Sequence, residues 1–152
     1  MKYCGTLIAI TDLEKSKKFY QELFDMKVVL DLGWNVVFNG GFSIQLNFDQ
    51  IANFPKEQII QKPNNMELYF EVDDFDAFLE KLRTYPDIEY FSEPTLYEWQ
   101  QRGVRIYDPD YHIIEIAESM EVIARRHLAE GHSVEETANF IQHPIEFVQQ
   151  FV

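Results

Sequence analysis

The stretch CGTLIAITDLEKSKKFYQELF, residues 4–24, changes from the periodicity of a strand to that of a helix, and a second stretch repeats the change. The first stretch begins with strand-like alternation, and Thr11 or Asp12 can cap the amphipathic helix that follows. The second stretch is MELYFEVDDFDAFLEKL, residues 66–82, in which aspartate again separates strand from helix. Placing Asp12 over Asp74 superposes the two stretches, which indicates an internal repeat.

Each helix of the repeat is followed by three short strand-like runs. These runs are KVVLDL, WNVVFN and FSIQLN in the first half, and IEYF, VRIY and HIIEIAE in the second half. The chain is therefore predicted to be an α+β protein with two βαβββ modules, residues 1–48 and 66–118, joined by a linker at 49–65. Both modules belong to one predicted domain, residues 1–118.

A C-terminal helical extension is predicted over residues 119–152. Ser133 and Glu136 have the spacing of a capping box at the start of one of its helices. Beyond Arg126 the extension contains no Lys or Arg, which disfavours a DNA-reading helix, so we expect it to pack against the sheet domain or a second subunit. Its histidines are interpreted as surface or cap residues: His127, His132 and His143.

Composition limits the classes of partner. The 152 residues carry a formal net charge of −13, which repels nucleic acid and anionic membranes and suits a cationic ligand. The single cysteine, Cys4, cannot form an intrachain disulfide, and strand alternation predicts that its thiol is buried. The chain shows no signal-peptide pattern and no apolar run long enough to span a bilayer, so the expected location is the cytoplasm.

The two faces of the predicted strands differ in polarity. The opposite face to the helices is mixed, with Gln45, Glu67 and Glu115 near the middles of their strands. Gln45 and Glu115 hold equivalent positions in the repeat, so a curled sheet would bring these side chains into one concavity. The face expected to bury the helices is almost wholly apolar and consists of Thr6, Ile8, Ile10, Ile44, Leu46, Phe48, Leu68, Phe70, Val72, Ile114 and Ile116.

Three segments in this order resemble the vicinal-oxygen-chelate superfamily, which includes glyoxalases, bleomycin-resistance proteins and extradiol dioxygenases. The segments are ITDLEKSKKFY, EVDDFDAF and YDPDYHIIEIAE, and the resemblance covers roughly residues 1–118. It implies a curled mixed sheet around a small-molecule cavity, usually completed in a homodimer. The superfamily contains both enzymes and binding proteins, so the resemblance leaves the reaction open.

The resemblance also implies four positions for metal ligands, two in each module. Carried over position by position, they fall on Gly5, Gln45, Glu67 and Glu115. Gly5 cannot ligate through a side chain, so the candidate metal site has three oxygen ligands, and oxygen ligands favour hard ions. The implied cofactor is one divalent metal (Mn, Ni, Co or Zn) or none.

Three functions remain open at this point, one of which is an accessory or regulatory module whose helical extension docks a partner. The other two are functions of the cavity. One is a metal-assisted lyase or isomerase of the glyoxalase type, or a dioxygenase-like enzyme, with Glu115 as metal ligand and catalytic base. The alternative is a metal-free binding protein of the bleomycin-resistance type that sequesters an aromatic or cationic compound, with Arg105 offsetting the repulsion between the carboxylates. The predicted contacts to a substrate or ligand are Tyr69, Phe91, Trp99, Arg105 and Tyr107.

Overall fold

The computed structural model describes the whole chain, Met1–Val152, and confirms an α+β fold with two βαβββ modules. Two short 3₁₀ turns, Lys56–Gln58 and Gln149–Phe151, accompany the regular elements. In chain order, these elements are β1 (Thr6–Ala9), α1 (Leu13–Phe24), β2 (Val28–Asp31), β3 (Asn35–Phe38), β4 (Phe42–Gln45), α2 (Phe48–Ala52), β5 (Glu67–Val72), α3 (Phe75–Thr84), β6 (Tyr90–Leu96), β7 (Arg102–Tyr107), β8 (Ile113–Glu118), α4 (Met120–Ala129), α5 (Val134–Ile141) and α6 (Ile145–Val148).

The chain divides into two compact units. The first contains Met1–Met66 together with Tyr107–His112, and the second contains Glu67–Ile106 together with Ile113–Val152. The first sheet has the strand order β1-β4-β3-β2, and the second has the order β5-β8-β7-β6. In each sheet the first strand runs parallel to its neighbour, so both sheets are mixed, as predicted.

The repeat is visible in the caps of the first helix of each module. The Asp12 side chain accepts a hydrogen bond from the backbone N–H of Lys15 at 3.0 Å, and Asp74 accepts one from Ala77 at 2.9 Å. An aspartate at this position satisfies a backbone donor that the helix leaves unpaired. Thr11, the other candidate for the first cap, instead donates its hydroxyl to another carboxylate in the first unit.

The core of the first unit is aromatic. Tyr20 on α1 is fully buried, with its ring centroid 4.8 Å from that of Phe42 and 5.8 Å from that of Phe38. The centres of the predicted apolar face, such as Ile8 and Ile44, are buried beneath this helix. Burial of such side chains is the main favourable contribution to folding.

A buried carboxylate, Asp108, organises the turn that belongs to the first unit. It accepts hydrogen bonds from the Tyr20 hydroxyl at 2.7 Å and from the backbone N–H groups of Asp110 at 2.9 Å and His112 at 2.8 Å. The His112 ring also contacts it, with Nδ1 2.9 Å from Oδ2. Burial is the largest single influence and opposes the charged form of this ring, but the Asp108 hydrogen bond together with the charges of Asp108 and Asp110 outweighs burial and raises the pKa of His112.

Several features differ from the sequence-based predictions. Strand β4 ends at Gln45, so Phe48, which was expected on the apolar strand face, begins α2 instead. Strand β6 continues beyond the predicted run IEYF and through Pro94; Pro is tolerated there because β6 is an edge strand with an irregular register. Cys4 is exposed, so the prediction of a buried thiol is wrong. The reason is that β1 begins at Thr6, two residues later than the alternation suggested.

The C-terminal extension is helical, as predicted, and packs within the second unit. The capping box is present, because Ser133 and Glu136 each bind the other's backbone N–H. Arg126 on α4 donates to the buried Glu118 carboxylate at the end of β8 at 2.7 Å. No helix combines the length and the apolar character that crossing a membrane requires. The core of the extension consists of Met120, Ile123, Ala124, Ala138, Ile141 and Val148.

We expect His112→Gln to make the protein less stable at acid pH than at alkaline pH, relative to the wild type. Because the pKa of His112 is raised by folding, its contribution is fully present below its ordinary value of 6.5 and is lost as the pH rises through the folded value. Denaturant unfolding at about pH 5.5 and about pH 8.5 measures the difference. His143→Gln controls for the loss of a histidine, and an equal difference at both pH values would contradict the assignment.

Candidate functional site

The centre of the second sheet brings three charged side chains together. Strands β5, β7 and β8 carry Glu67, Arg105 and Glu115, respectively. β5 and β8 are parallel neighbours, with Tyr69 opposite Glu115 in the register. Alternate residues of a strand point to the same face, so Glu67 and Tyr69 share the face that carries Glu115.

Arg105 joins the two carboxylates. Its Nε donates to Glu67 Oε2 at 2.8 Å, and its Nη2 donates to Glu115 Oε2 at 2.8 Å. The third nitrogen, Nη1, donates to the hydroxyl of Tyr97. The rigid fork of a guanidinium suits such a pattern, because it offers several donors in one plane.

The two carboxylates differ in environment. The Glu115 side chain is 8% exposed and the Glu67 side chain is 37% exposed. Burial, together with a hydrogen bond to Glu67, raises the pKa of Glu115, whereas the Arg105 hydrogen bond lowers the pKa of Glu67. Glu115 is therefore the more readily protonated carboxyl group of the pair.

Gly103 on β7 makes room for Tyr97 beside Glu115. A Cβ atom at position 103 would lie 2.9 Å from Tyr97 Cε2 and 3.4 Å from Glu115 Oε1. Any larger residue would have to displace the tyrosine ring, because a contact below about 3.0 Å is repulsive. The close packing of Tyr97 over this strand thus depends on the absence of a side chain.

Gln101 is a polar residue of the site that the sequence analysis missed. Its Nε2 donates to the Tyr69 hydroxyl and to the backbone carbonyl of Glu118, both at 2.9 Å, and its Oε1 accepts from Trp99 Nε1 at 2.7 Å. Burial raises the pKa of Tyr69 to about 12, and its hydroxyl donates to Glu71. The available signal was the period of two that links 101, 103 and 105.

The remaining aromatic residues predicted in the second unit have different surroundings. Trp99 stacks on Tyr97 with a centroid distance of 4.5 Å and also packs against the helical extension. Phe91 lies on the edge strand β6 and is 45% exposed. The structure therefore connects Trp99 to Arg105 through Tyr97, and it connects Tyr69 to Trp99 through Gln101.

Three predicted residues lie in the first unit. Gln45 is buried and accepts a hydrogen bond from Asn35 at 3.2 Å, and Tyr107 donates its hydroxyl to Asn64 at 2.9 Å. Gly5 has φ +142°, and a Cβ atom there would lie 2.0 Å from the carbonyl oxygen of Gly41. The backbone thus excludes a side chain at the position where the resemblance implies a fourth ligand.

The pairing with Arg105 does not fit a resident metal ion at Glu67 and Glu115. A divalent cation bound by both carboxylates would compete with the guanidinium that already bridges them. Two cations at this spacing repel each other, so the metal would have to displace Arg105. The three-ligand set of Gln45, Glu67 and Glu115 stays a prediction.

A second group of candidate metal ligands lies in the helical extension. Each of His127, Glu130 and His132 offers a ligand atom, and these atoms lie within 4.8 Å of one another. The sequence analysis interpreted both histidines as surface or cap residues. The missed signal was the spacing His-x-x-Glu-x-His, which joins the three residues across the end of α4.

Comparison with known proteins gives one family and a common fold. The profile of the glyoxalase-like domain matches residues 3–121. A protein of unknown function from Agrobacterium tumefaciens str. C58 is 31% identical, with a TM-score of 0.67 over 78% of this chain and 94% of its own. No curated protein matches the chain.

Two more solved structures share the fold at lower identity. A glyoxalase/bleomycin resistance protein/dioxygenase family enzyme from Burkholderia phytofirmans PsJN is 12% identical, with a TM-score of 0.68 over 78% of this chain and 98% of its own. Lactoylglutathione lyase from Agrobacterium tumefaciens is 22% identical, with a TM-score of 0.57 over 76% of this chain and 91% of its own.

We expect the two carboxyl groups to titrate on opposite sides of their ordinary pKa of 4.5. NMR titration of the side-chain carboxyl carbons should give a midpoint above that value for Glu115 and below it for Glu67. Arg105→Gln should raise the Glu67 midpoint, because the guanidinium stabilises that charge. The control Arg102→Gln should leave it unchanged. A Glu115 midpoint at or below 4.5 would contradict the effect of burial.

Proposed function

Because the chain belongs to the glyoxalase-like domain family, we propose that it binds a small molecule beside Glu115 without a resident metal ion, in the manner of a bleomycin-resistance protein. One observation carries the proposal: Arg105 pairs with both Glu67 and Glu115. The carboxylates therefore obtain their counter-charge from the chain itself. A protein arranged in this way has no electrostatic need for a metal ion at this position.

The charges around the pair favour a cationic ligand. Glu67, Glu71 and Glu115 contribute three carboxyl groups on one strand face, and Arg105 contributes one positive charge. Burial disfavours the ionised form of Glu115 and raises its pKa, whereas a cation bound beside Glu115 would stabilise that form. The net charge of −13 attracts cations to the protein as a whole.

The rings around the pair favour an aromatic ligand. Tyr69 is 51% exposed, and the Tyr97 hydroxyl contacts Arg105 on the same site. A cation over such a ring is attracted by about 0.5–2 kcal/mol, and a flat ring stacks well on it. We infer that the ligand is an aromatic cation that lies over Tyr69, beside Glu115 and bordered by Tyr97, and that leaves the Arg105 pairing in place. Trp99 stacks on the Tyr97 ring and so holds it in place.

A second candidate function rests on the pKa of Glu115. A catalytic base works best when its pKa is close to the operating pH, and burial moves Glu115 in that direction. In this alternative, the protein is a lyase or isomerase of the glyoxalase type or a dioxygenase-like enzyme. This alternative requires that Arg105 is displaced from Glu67 and Glu115. Gln45, Glu67 and Glu115 would then hold the divalent metal, which would supply Lewis-acid chemistry, and Glu115 would be the base.

We also propose that the protein forms a homodimer. Four large apolar side chains remain exposed in the first unit, on β2 and in the turn that follows it. Exposed apolar patches are typical of protein–protein interfaces, so sedimentation analysis is expected to give twice the mass of one chain. These residues are Val29, Leu30, Leu32 and Trp34, with exposures between 45% and 68%.

We expect aromatic cations to raise the melting temperature of protein that EDTA has freed of metal. The probes are benzyltrimethylammonium and benzamidine, with benzenesulfonate as the anionic aromatic of similar size. Glu115→Gln should weaken the binding of the cations about tenfold, because it removes the buried charge that faces them. Glu135→Gln, which removes an exposed charge in the extension, is the matched control. Equal shifts with cationic and anionic probes would contradict the proposed ligand class.

The same assay decides between the two candidate functions. Mn²⁺, Ni²⁺, Co²⁺ and Zn²⁺ are added to metal-free His132→Gln protein, in which the cluster of the extension lacks one ligand. No shift that depends on Glu115 is expected. If a metal raises the melting temperature and Glu115→Gln removes the rise, the metalloenzyme candidate replaces the metal-free one.

A further inference from the structure

The junction of α4 and α5 brings together two imidazoles and a carboxylate. Helix α4 ends at Ala129, and Glu130 caps it. The Glu130 Oε2 atom lies 3.6 Å from His127 Nδ1 and 4.0 Å from His132 Nε2. The carboxylate is therefore located between the two rings.

His127 lacks the polar partners that a buried ring requires. Both of its nitrogens are shielded from solvent, and neither has a hydrogen-bond partner. Buried polar atoms are nearly always satisfied, and those that are not point to an additional partner such as an ion or a water molecule. An uncharged imidazole nitrogen without a hydrogen-bond partner has a lone pair available for coordination.

We propose that His127, Glu130 and His132 bind one transition-metal ion of the Zn²⁺ class. Two imidazole nitrogens and one carboxylate oxygen are donors that suit Zn²⁺ and its neighbours better than Mg²⁺ or Ca²⁺. Three protein ligands leave a fourth position for water. This site is independent of the proposed ligand site at Glu115.

The distances require only a small contraction of the cluster. In a tetrahedral zinc site with bonds of about 2.0–2.1 Å, the ligand atoms are about 3.3 Å apart. The two distances to Glu130 are 3.6 and 4.0 Å, so each must shorten by less than about 1 Å. The ligand atoms of the two histidines lie within 4.8 Å of each other, so that distance must shorten by up to about 1.5 Å. The side chains of Glu130 and His132 are 54% and 38% exposed, which leaves them free to rotate.

The backbone already holds the two histidines near each other. The N–H of His132 donates to the carbonyl oxygen of His127 at 3.2 Å, across a turn in which Gly131 has φ +95°. Phe140 on α5 lies against both rings, with centroid distances of 5.6 Å to His127 and 5.1 Å to His132. The cluster thus has an apolar wall on one side and solvent on the side of Glu130.

The neighbouring cation does not oppose a metal strongly. Arg126 precedes His127, but its guanidinium donates to the buried Glu118 carboxylate at 2.7 Å.

A bound ion would connect the last turn of α4 to the residue before Ser133, which caps α5. Since the unfolded chain lacks this geometry, binding would stabilise the helical hairpin.

The test is calorimetric titration of ZnCl₂ into tag-free, EDTA-treated full-length protein, with MgCl₂ as the hard-ion comparison. One equivalent of Zn²⁺ is expected to bind per chain, with Mg²⁺ binding at least about tenfold more weakly. Glu130→Gln and His132→Gln should each weaken Zn²⁺ binding at least about tenfold. Both positions are partly exposed, so circular dichroism should show that these variants keep the fold.

The controls locate the ion. His143→Gln removes a histidine of the same extension outside the cluster, and Glu115→Gln removes a carboxylate of the second sheet; both should bind Zn²⁺ as the wild type does. X-ray absorption of the complex should show nitrogen and oxygen ligands with two imidazoles. Absence of binding at about 1 mM Zn²⁺, or equal affinity in the wild type and both cluster variants, would overturn the proposal. Loss of binding in Glu115→Gln alone would also overturn it.

Discussion

The burial of Glu115 is the constraint on which the second sheet depends. A carboxylate that is removed from water must be paired, protonated or bound to an ion, and Arg105 supplies the pair here. The rest of β7 fits this requirement: Gly103 leaves space for Tyr97 next to the acid, and Gln101 fixes the ring of Tyr69. One strand face thus explains the positions of most polar side chains in the site.

The same pairing limits the chemistry that the family fold can support in this chain. A fold by itself does not define a reaction, because function resides in the side chains that it carries. In this chain the side chains combine an internal cation with surplus negative charge and exposed aromatic rings. This combination is the basis of the proposal that the chain binds a charged organic molecule. The raised pKa of Glu115 is the property that both alternatives share.

Much of the fold could be predicted from the sequence, because strand and helix periodicities and capping aspartates are local. Asp12 and Asp74 were recognised for that reason. The sequence identifies Arg105 as a candidate partner of the carboxylates. It does not show on which face of β7 the Arg105 side chain lies, and the pairing depends on that face. The cluster at His127 was missed, because it forms only where a helix ends and the chain reverses. The spacing His-x-x-Glu-x-His is visible in the sequence, but it does not show that the reversal brings the three side chains together.

The contact between Gly5 and Gly41 limits which residue position 5 can carry. In the first sheet, the N–H of Thr6 donates to the carbonyl oxygen of Gly41 at 2.9 Å, which holds the two chain segments together where β1 starts. The Cβ atom of a histidine or glutamine introduced at position 5 would lie only 2.0 Å from that carbonyl oxygen. A single substitution at position 5 therefore cannot supply a ligand while this contact persists. The segment that leads into β1 would first have to move away from Gly41.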